Sequence, residues 1–186
     1  RVSQASQPES GVLIDYVIVF EHIELDLTNL SSSGIDWVDS PIITGTAKPI
    51  ILQMNNPKYG TSFSLSTRFK GHSANNSSSF HQIKILLNNL NGSQIGQVEN
   101  WTGNTFRTIT ANNQNFELAN GVNIFYLLNS STDQNSLPYL DYFQVEYAKK
   151  LNFEENFTFT SPINNQNARF DFGSQKPDHV FLWDIS

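Results

Sequence analysis

The sequence of 186 residues contains no cysteine, and charged residues make up only 15% of it. The absence of cysteine excludes disulfide bonds, thiolate metal sites and a cysteine nucleophile within this chain. No run of basic residues is longer than Lys149-Lys150 and the net charge is −6, so we expect no nucleic-acid partner. No apolar run approaches the roughly 20 residues of a membrane-spanning helix, so we expect no transmembrane segment.

Helical periodicity is also lacking, and short alternating stretches separated by Gly, Asn, Ser and Pro take its place. This pattern predicts an all-β protein, an antiparallel, jelly-roll-like β-sandwich. We assign residues 1–151 to the sandwich domain. Residues 152–186 are predicted to add further β-strands, either in the same sandwich or at the start of a following domain.

The stretch Leu137–Leu151 is the most strand-like part of the sequence. Its only proline lies near its start, and it is rich in Tyr, Phe and Val. Both features favour a central strand over an edge strand. Strict alternation places Asp141 on the same face as Phe143, Val145 and Tyr147.

Carboxylates in two strand-like stretches are candidate metal ligands. Glu24 and Asp26 lie two residues apart, about 7 Å along a strand, with His22 beside them. Together with Asp141 and loop carbonyls they could supply the oxygen ligands that Ca²⁺ prefers. The alternatives are a solvated strand face for Glu24 and Asp26, and a carboxylate that accepts hydrogen bonds from loop N–H groups for Asp141. No other cofactor is indicated.

Two tryptophans lie in stretches rich in Gly, Asn and Ser that predict loops. Trp37 and Trp101 could each present a flat ring on which a sugar stacks, which would make a glycan the ligand. The alternative is that each ring anchors its loop to the core, because large aromatic side chains are mostly buried.

Catalytic motifs are not found. The sequence has no Gly-x-Ser-x-Gly motif, and its four histidines have no recognisable nucleophile partner. We therefore expect no enzymatic activity from this chain by itself.

Three segments resemble the upstream region of the gingipain-family peptidases that act as sortases of type IX secretion, the PorU-like sortases. The segments are Glu24-Leu-Asp-Leu-Thr-Asn29 running to Ser33-Gly-Ile-Asp-Trp37, Tyr139-Leu-Asp-Tyr-Phe-Gln-Val-Glu-Tyr147, and Val180-Phe-Leu-Trp-Asp-Ile-Ser186. Their order and spacing match the family pattern, except that Ile35 stands where that pattern has arginine.

The resemblance implies a galactose-binding-like β-sandwich that precedes a cysteine peptidase domain in an exported protein at the cell surface or outer membrane. A chain that starts at Arg1 without Met agrees with removal of an export signal. In this family the catalytic His and Cys lie downstream, so no catalytic residue is carried over. The expected partners are the downstream peptidase domain or other secretion components.

Overall fold

The computed structural model describes residues 11–31, 34–75, 78–152, 160–163 and 168–170. Over these residues the chain forms strands and no helix, and therefore no helix there could cross a membrane. The strands are β1 (Val12–Ile14), β2 (Tyr16–Glu24), β3 (Thr28–Asn29), β4 (Trp37–Val38), β5 (Ala47–Met54), β6 (Phe63–Lys70), β7 (Phe80–Leu87), β8 (Gln94–Thr102), β9 (Phe106–Gln114), β10 (Gly121–Asn129), β11 (Tyr139–Lys150) and β12 (Ala168–Phe170).

Two four-stranded antiparallel sheets form the body of the molecule. One sheet has the order β5-β10-β7-β8 and the other the order β2-β11-β6-β9. Successive long strands alternate between the sheets, except for the hairpin of β7 and β8 within one sheet, and this is the strand arrangement of a double-sheet jelly roll. The predicted all-β antiparallel sandwich is confirmed.

Strand β11 occupies a central position, as its sequence predicts. It pairs with β2 on one side and with β6 on the other. Phe143 and Val145 are completely buried, and Tyr147 is 4% exposed. A strand with partners on both sides satisfies all its backbone groups within the sheet, so it tolerates complete burial of one face.

A β-bulge at the start of β11 changes the predicted facing of Asp141. The pairing with β6 shifts register between Leu140 and Tyr142. An extra residue in one strand reverses the alternation on one side of the bulge. Leu140 therefore joins the core, 2% exposed, and the Asp141 carboxylate pairs with Arg68, which alternates with the buried residues of β6 and faces outward. The prediction that Asp141 shares a face with Phe143 is wrong for this reason.

The core lies between the inner faces of the two sheets. Phe69, Phe125 and Phe143 are completely buried, with the rings of Phe125 and Phe143 5.1 Å apart. The alternating sequence Thr61–Lys70 predicts a strand with Phe63, Leu65, Thr67 and Phe69 on one face. This is confirmed, because these four side chains of β6 point inward. Aromatic rings packed at this separation add to the stability that burial provides.

Several element boundaries differ from the sequence prediction. Trp101 lies inside β8 and not in a loop. The sequence predicts short strands at Phe106–Thr110 and Asn115–Leu118 around a polar turn; in the structure the first continues to Gln114 and the second does not form. The pair Asn91-Gly92 predicts a hairpin turn with left-handed residues between two strands. In the structure the left-handed residue of the β7–β8 hairpin is Asn88, with φ 57°. Short polar stretches are ambiguous because asparagine tolerates both strand and left-handed conformations.

Only part of the segment 152–186 is described. Strand β12 pairs in parallel with β1, and Thr160 forms a bridge with Ile18 of β2. The apolar sequence His179–Ile185 predicts a last strand with Trp183 in the core, and it lies outside the described residues. The division between residues 1–151 and 152–186 stays a prediction.

Candidate functional site

The acids singled out in the sequence converge at one end of the β2-β11-β6-β9 sheet, on its outer side. Glu24 ends β2 and is in register with Tyr142, the residue after Asp141. The β3–β4 hairpin brings Asp36 to the same place, since Asp39 N donates to Leu140 O over 2.8 Å. Burial raises the pKa of Asp141, and the nearby Glu24, Asp26 and Asp36 raise it further. We call this group of four carboxylates, with the cations described next, the mixed-charge cluster.

Two cations neutralise part of the negative charge. Arg68 Nη1 lies 3.3 Å from Asp141 Oδ2, and its charge opposes the rise in the pKa of that carboxyl. Lys70 Nζ lies 3.4 Å from Asp36 Oδ2. Both cations also stand over the ring of Phe106, Arg68 at 3.9 Å and Lys70 at 4.3 Å from its centroid. Cation–π contacts of this kind hold charged side chains in place on a sheet surface.

Aromatic and hydroxyl groups continue the outer face beside the cluster. His22 stacks on Tyr142 with ring centroids 5.7 Å apart, and its Nε2 lies 3.3 Å from Glu24 Oε2. The Tyr142 hydroxyl is 3.4 Å from Ser66 Oγ. Glu24 and Asp26 are exposed, as the solvated-face alternative requires.

The cluster does not have the geometry of a calcium site. Among the described residues, no three His, Cys, Asp or Glu side chains are arranged to hold a metal ion. The carboxylate of Asp141, the most buried of the proposed ligands, also forms an ion pair with Arg68. Calcium needs six to eight oxygen ligands at 2.3–2.6 Å. The residues as placed do not fit Ca²⁺, and the calcium assignment to Glu24, Asp26 and Asp141 stays a prediction.

The two candidate tryptophans occupy different environments. Trp37 lies in β4 next to Asp36 of the cluster and is 44% exposed. Trp101 is 9% exposed and packs among core rings, 5.0 Å from His81 and 6.3 Å from Phe69. The exposed-loop placement expected for Trp101 is therefore wrong, because its ring fills the space between the sheets at that end. A binding role for Trp37 stays a prediction.

A serine and a histidine approach each other, but inside the molecule. His81 Nδ1 lies 2.8 Å from Ser136 Oγ, and both residues are completely buried. Burial lowers the pKa of His81. A nucleophile must reach its substrate, so this contact is structural and joins β7 to the loop before β11.

Two surface features were missed at the level of sequence. The outer face of β5 and β10 is apolar, with Ile51 61% and Val122 55% exposed. A small pocket also opens beside Tyr59, at the other end of the sandwich. The apolar residues that alternate with the buried ones along β10 could have revealed the apolar outer face from the sequence. The pocket joins residues from three distant segments, so no local pattern could reveal it.

Comparison with known proteins gives structural relatives only. No protein-family model matches the sequence, and no curated protein matches it. The dimeric latent PorU of Porphyromonas gingivalis matches with a TM-score of 0.63 and 13% identity, over 80% of this chain and 14% of the PorU chain. A carbohydrate-binding module of family CBM36, solved with calcium and xylotriose, matches with a TM-score of 0.42 and 16% identity over 67% of this chain and 98% of its own.

A CBM36-1 domain of a multidomain xylanase from the hindgut metagenome of Trinervitermes trinervoides has a TM-score of 0.43 and 10% identity, over 68% of this chain and 96% of its own. The chain thus spans about one seventh of the length of the PorU chain that it matches. The PorU likeness is a likeness of fold: this chain is an all-β sandwich related in structure to one region of that protein.

Proposed function

We propose that this chain is a non-catalytic β-sandwich interaction module of an exported, cell-surface peptidase of the gingipain family, similar to a type IX secretion sortase. Its role is to pack against and position the downstream peptidase domain. The apolar outer face of β5 and β10 is the observation that supports a docking role. We call this surface the apolar face.

The apolar face is built from residues that alternate with the core. Ile50, Leu52 and Met54 point inward from β5, which leaves Ile51 outward and opposite Ile124. On β10, Phe125 and Leu127 are completely buried, so their neighbours point outward. The outward side chains of β5 and β10 are apolar apart from Gln53 and the hydroxyl of Tyr126, and comprise Ala47, Pro49, Ile51, Gln53, Val122, Ile124, Tyr126 and Leu128.

The outer face of the other sheet is more polar, although Phe20 is exposed on it. Its outward side chains include Ser66, Arg68 and Gln144, with the mixed-charge cluster at one end. Contiguous apolar surface is uncommon on proteins that act alone and often marks a contact with another protein. The asymmetry between the two outer faces supports one face in contact with protein and one in water.

A neighbouring domain of the same polypeptide is the occupant that we assign to the apolar face. The PorU chain that this fold matches is about seven times longer than the matched region, so the sandwich there is one part of a much larger molecule. Contacts between domains of one chain are commonly of the size that one face of a small sandwich provides.

Co-purification tests this docking directly. Residues 1–186 and the following part of the gene product are expressed as separate chains, and complex formation is measured by size-exclusion chromatography with light scattering. We expect a complex that Ile51→Glu and Val122→Glu each weaken at least about tenfold. Phe20→Glu, at an exposed aromatic on the other sheet, is the matched control. The proposal would be contradicted if neither Ile51→Glu nor Val122→Glu weakened the complex, or if the chain formed a homodimer through the apolar face. It would also be contradicted if the following part of the gene product lacked a His and Cys peptidase signature.

Carbohydrate binding at the mixed-charge cluster is the second candidate function. The half-exposed ring of Trp37, next in the chain to Asp36 of the cluster, favours it, since aromatic rings with carboxylates nearby suit sugar recognition. The test is a glycan array with wild type and Trp37→Ala, together with melting curves in calcium and in EDTA. Loss of glycan binding in Trp37→Ala is expected, and a calcium-dependent rise in melting temperature would restore the calcium assignment. No glycan binding by the wild type would remove this candidate.

A further inference from the structure

A pocket of about 200 Å³ lies at the end of the sandwich opposite the mixed-charge cluster. Its walls come from the β5–β6 loop, from the segment that precedes β10 and from the last part of β11. Tyr147 in the pocket wall is six residues along β11 from Asp141, about 20 Å at the rise of a strand. The lining residues are Pro57, Lys58, Tyr59, Gly60, Thr61, Ser62, Glu117, Leu118, Asn120, Tyr147 and Ala148.

Backbone and side-chain hydrogen bonds hold the β5–β6 loop in one shape. Lys58 N donates to Ala148 O over 2.8 Å, and Thr61 Oγ1 donates to Lys58 O over 2.6 Å. Asn56 N donates to Asn120 Oδ1 over 2.9 Å, which ties the loop to the opposite wall. A loop that is already fixed loses little conformational freedom when a ligand binds.

Tyr59 stands at the rim of the pocket and is 77% exposed, the most exposed of the described aromatic side chains. Interaction with the nearby Glu117 carboxylate raises the pKa of the Tyr59 phenol. The floor is apolar, with Leu118, the buried Tyr147 and Ala148. The aromatic ring, apolar floor and carboxylate together suit a ligand with one apolar face and several hydroxyl groups.

The volume of the pocket and the charges in its wall further limit the class of ligand that fits. The volume is below the 300–1,000 Å³ of sites for drug-sized molecules, so one ring-sized unit fits. Lys58 is the only cation among the described residues of the wall; it pairs with Asp15 over 2.7 Å and lies over the ring of Tyr16. Glu117 is then the remaining charge among the described wall residues, and the whole chain carries −6, which disfavours acidic and sulfated sugars.

We propose that this pocket binds one unit of an uncharged oligosaccharide, with the Tyr59 ring against the sugar's C–H face. Glu117 accepts hydrogen bonds from sugar hydroxyls, and the Asn120 amide NH₂ and the Ser62 hydroxyl complete the polar contacts. The site is separate from Trp37 and from the apolar face, so it stands whether or not the docking proposal holds.

Amide chemical shifts of the whole chain, measured by NMR, test the site. The probes are xylohexaose, cellohexaose, chitohexaose and mannohexaose, each added to about 10 mM, where a site with a Kd of about 1 mM is nine-tenths filled. At least one sugar is expected to shift the amides of Tyr59–Ser62 and Glu117–Asn120. A lysine-rich peptide is titrated in parallel, because a ring beside a carboxylate could instead bind a cation.

Three variants separate stacking from polar recognition. Tyr59→Ala is expected to weaken binding about tenfold or more, Tyr59→Phe less than about threefold, and Glu117→Gln about threefold. Phe20→Ala, at another exposed aromatic, is the control that leaves affinity unchanged. Tyr59, Glu117 and Phe20 are all at the surface, and an unperturbed spectrum elsewhere confirms folding. Shifts with none of the sugars, shifts with the peptide alone, or sugar binding that survives Tyr59→Ala would overturn the proposal.

Discussion

Single uncharged side chains fix the loops of this sandwich from inside. Asn129 is completely buried; its amide donates to Ile42 O over 2.8 Å and to Ser136 O over 3.1 Å. Asn123 holds the segment before β10 in the same way, since its amide donates to Ala119 O and its Oδ1 accepts from Ala119 N. Amides satisfy buried backbone groups without the large cost of removing an ion from water.

The cost of burying an ion applies most strongly to His81. This titratable residue is completely buried, and among the described residues no charged group is in contact with it. Its ring packs against Trp101 at 5.0 Å, and Nδ1 shares a hydrogen bond with Ser136. Burial lowers the pKa of His81 below its usual 6.5, against smaller opposite effects of the Gly103 backbone and of Asp133. The folded state therefore binds fewer protons than the unfolded state just below pH 6.5.

The pH dependence of stability is the first prediction at this scale. Stability linked to His81 is complete above pH 6.5 and falls as the pH drops toward the lowered pKa, with a slope of up to about 1.4 kcal/mol per pH unit. Urea unfolding between about pH 7 and pH 5 measures the slope. His81→Phe is expected to flatten it, while His22→Gln, at an exposed histidine, leaves it unchanged. If the free energy of unfolding of His81→Phe depends on pH as steeply as that of the wild type, other groups cause the pH dependence.

At the level of elements, the bulge at the start of β11 places the mixed-charge cluster. The register shift between Leu140 and Tyr142 keeps Leu140 in the core and sends the Asp141 carboxylate to the outer face. Burial and the neighbouring acids raise the pKa of Asp141, so its ionised form needs Arg68. The stability linked to this raised pKa is complete below 3.8 and is lost as the pH rises through the folded-state pKa.

Removal of the arginine is the prediction at this scale. Arg68→Gln leaves the largely buried Asp141 carboxylate unpaired, and we expect a loss of about 1–2 kcal/mol at pH 7, moderated because Arg68 is partly exposed. Adding Asp141→Asn should recover most of that loss. Arg107→Gln breaks the more exposed pair with Glu99 and should cost less than about 0.5 kcal/mol. A double variant as unstable as Arg68→Gln would show that the ion pair is not the cause.

For the whole molecule, one core shared by both sheets decides how it unfolds. Phe125 of one sheet packs on Phe143 of the other at 5.1 Å, and on Phe63 at 6.1 Å. Neither sheet can keep its inner face buried without the other, so we expect them to unfold together.

A core truncation tests this coupling. Phe125→Ala should lower the free energy of unfolding by about 3–5 kcal/mol. Tryptophan fluorescence and circular dichroism should give the same transition. Phe20→Ala removes the same ring from an exposed position and should change stability by less than about 0.5 kcal/mol. Separate transitions for the two signals would contradict a single shared core.

The candidate site was only partly predictable. Glu24, Asp26 and Asp141 were singled out by residue type and strand position, and the structure places them in one region. Asp36 and Arg68 were missed, since the β3–β4 hairpin and the bulge that bring them there leave no local pattern. Trp101 was misplaced because residues such as Gly103 and Asn104 beside it suggest a loop, whereas its ring completes the core.

The sequence by itself determined the all-β class, the central place of Leu137–Leu151 and the inward face of β6, because alternation and strand propensity act locally. It also excluded cysteine chemistry in this chain. Only the tertiary structure decided which way Asp141 points, where Trp101 lies and which segments form the Tyr59 pocket. Those outcomes depend on register and on contacts between residues far apart in the chain, which no local pattern of side chains specifies.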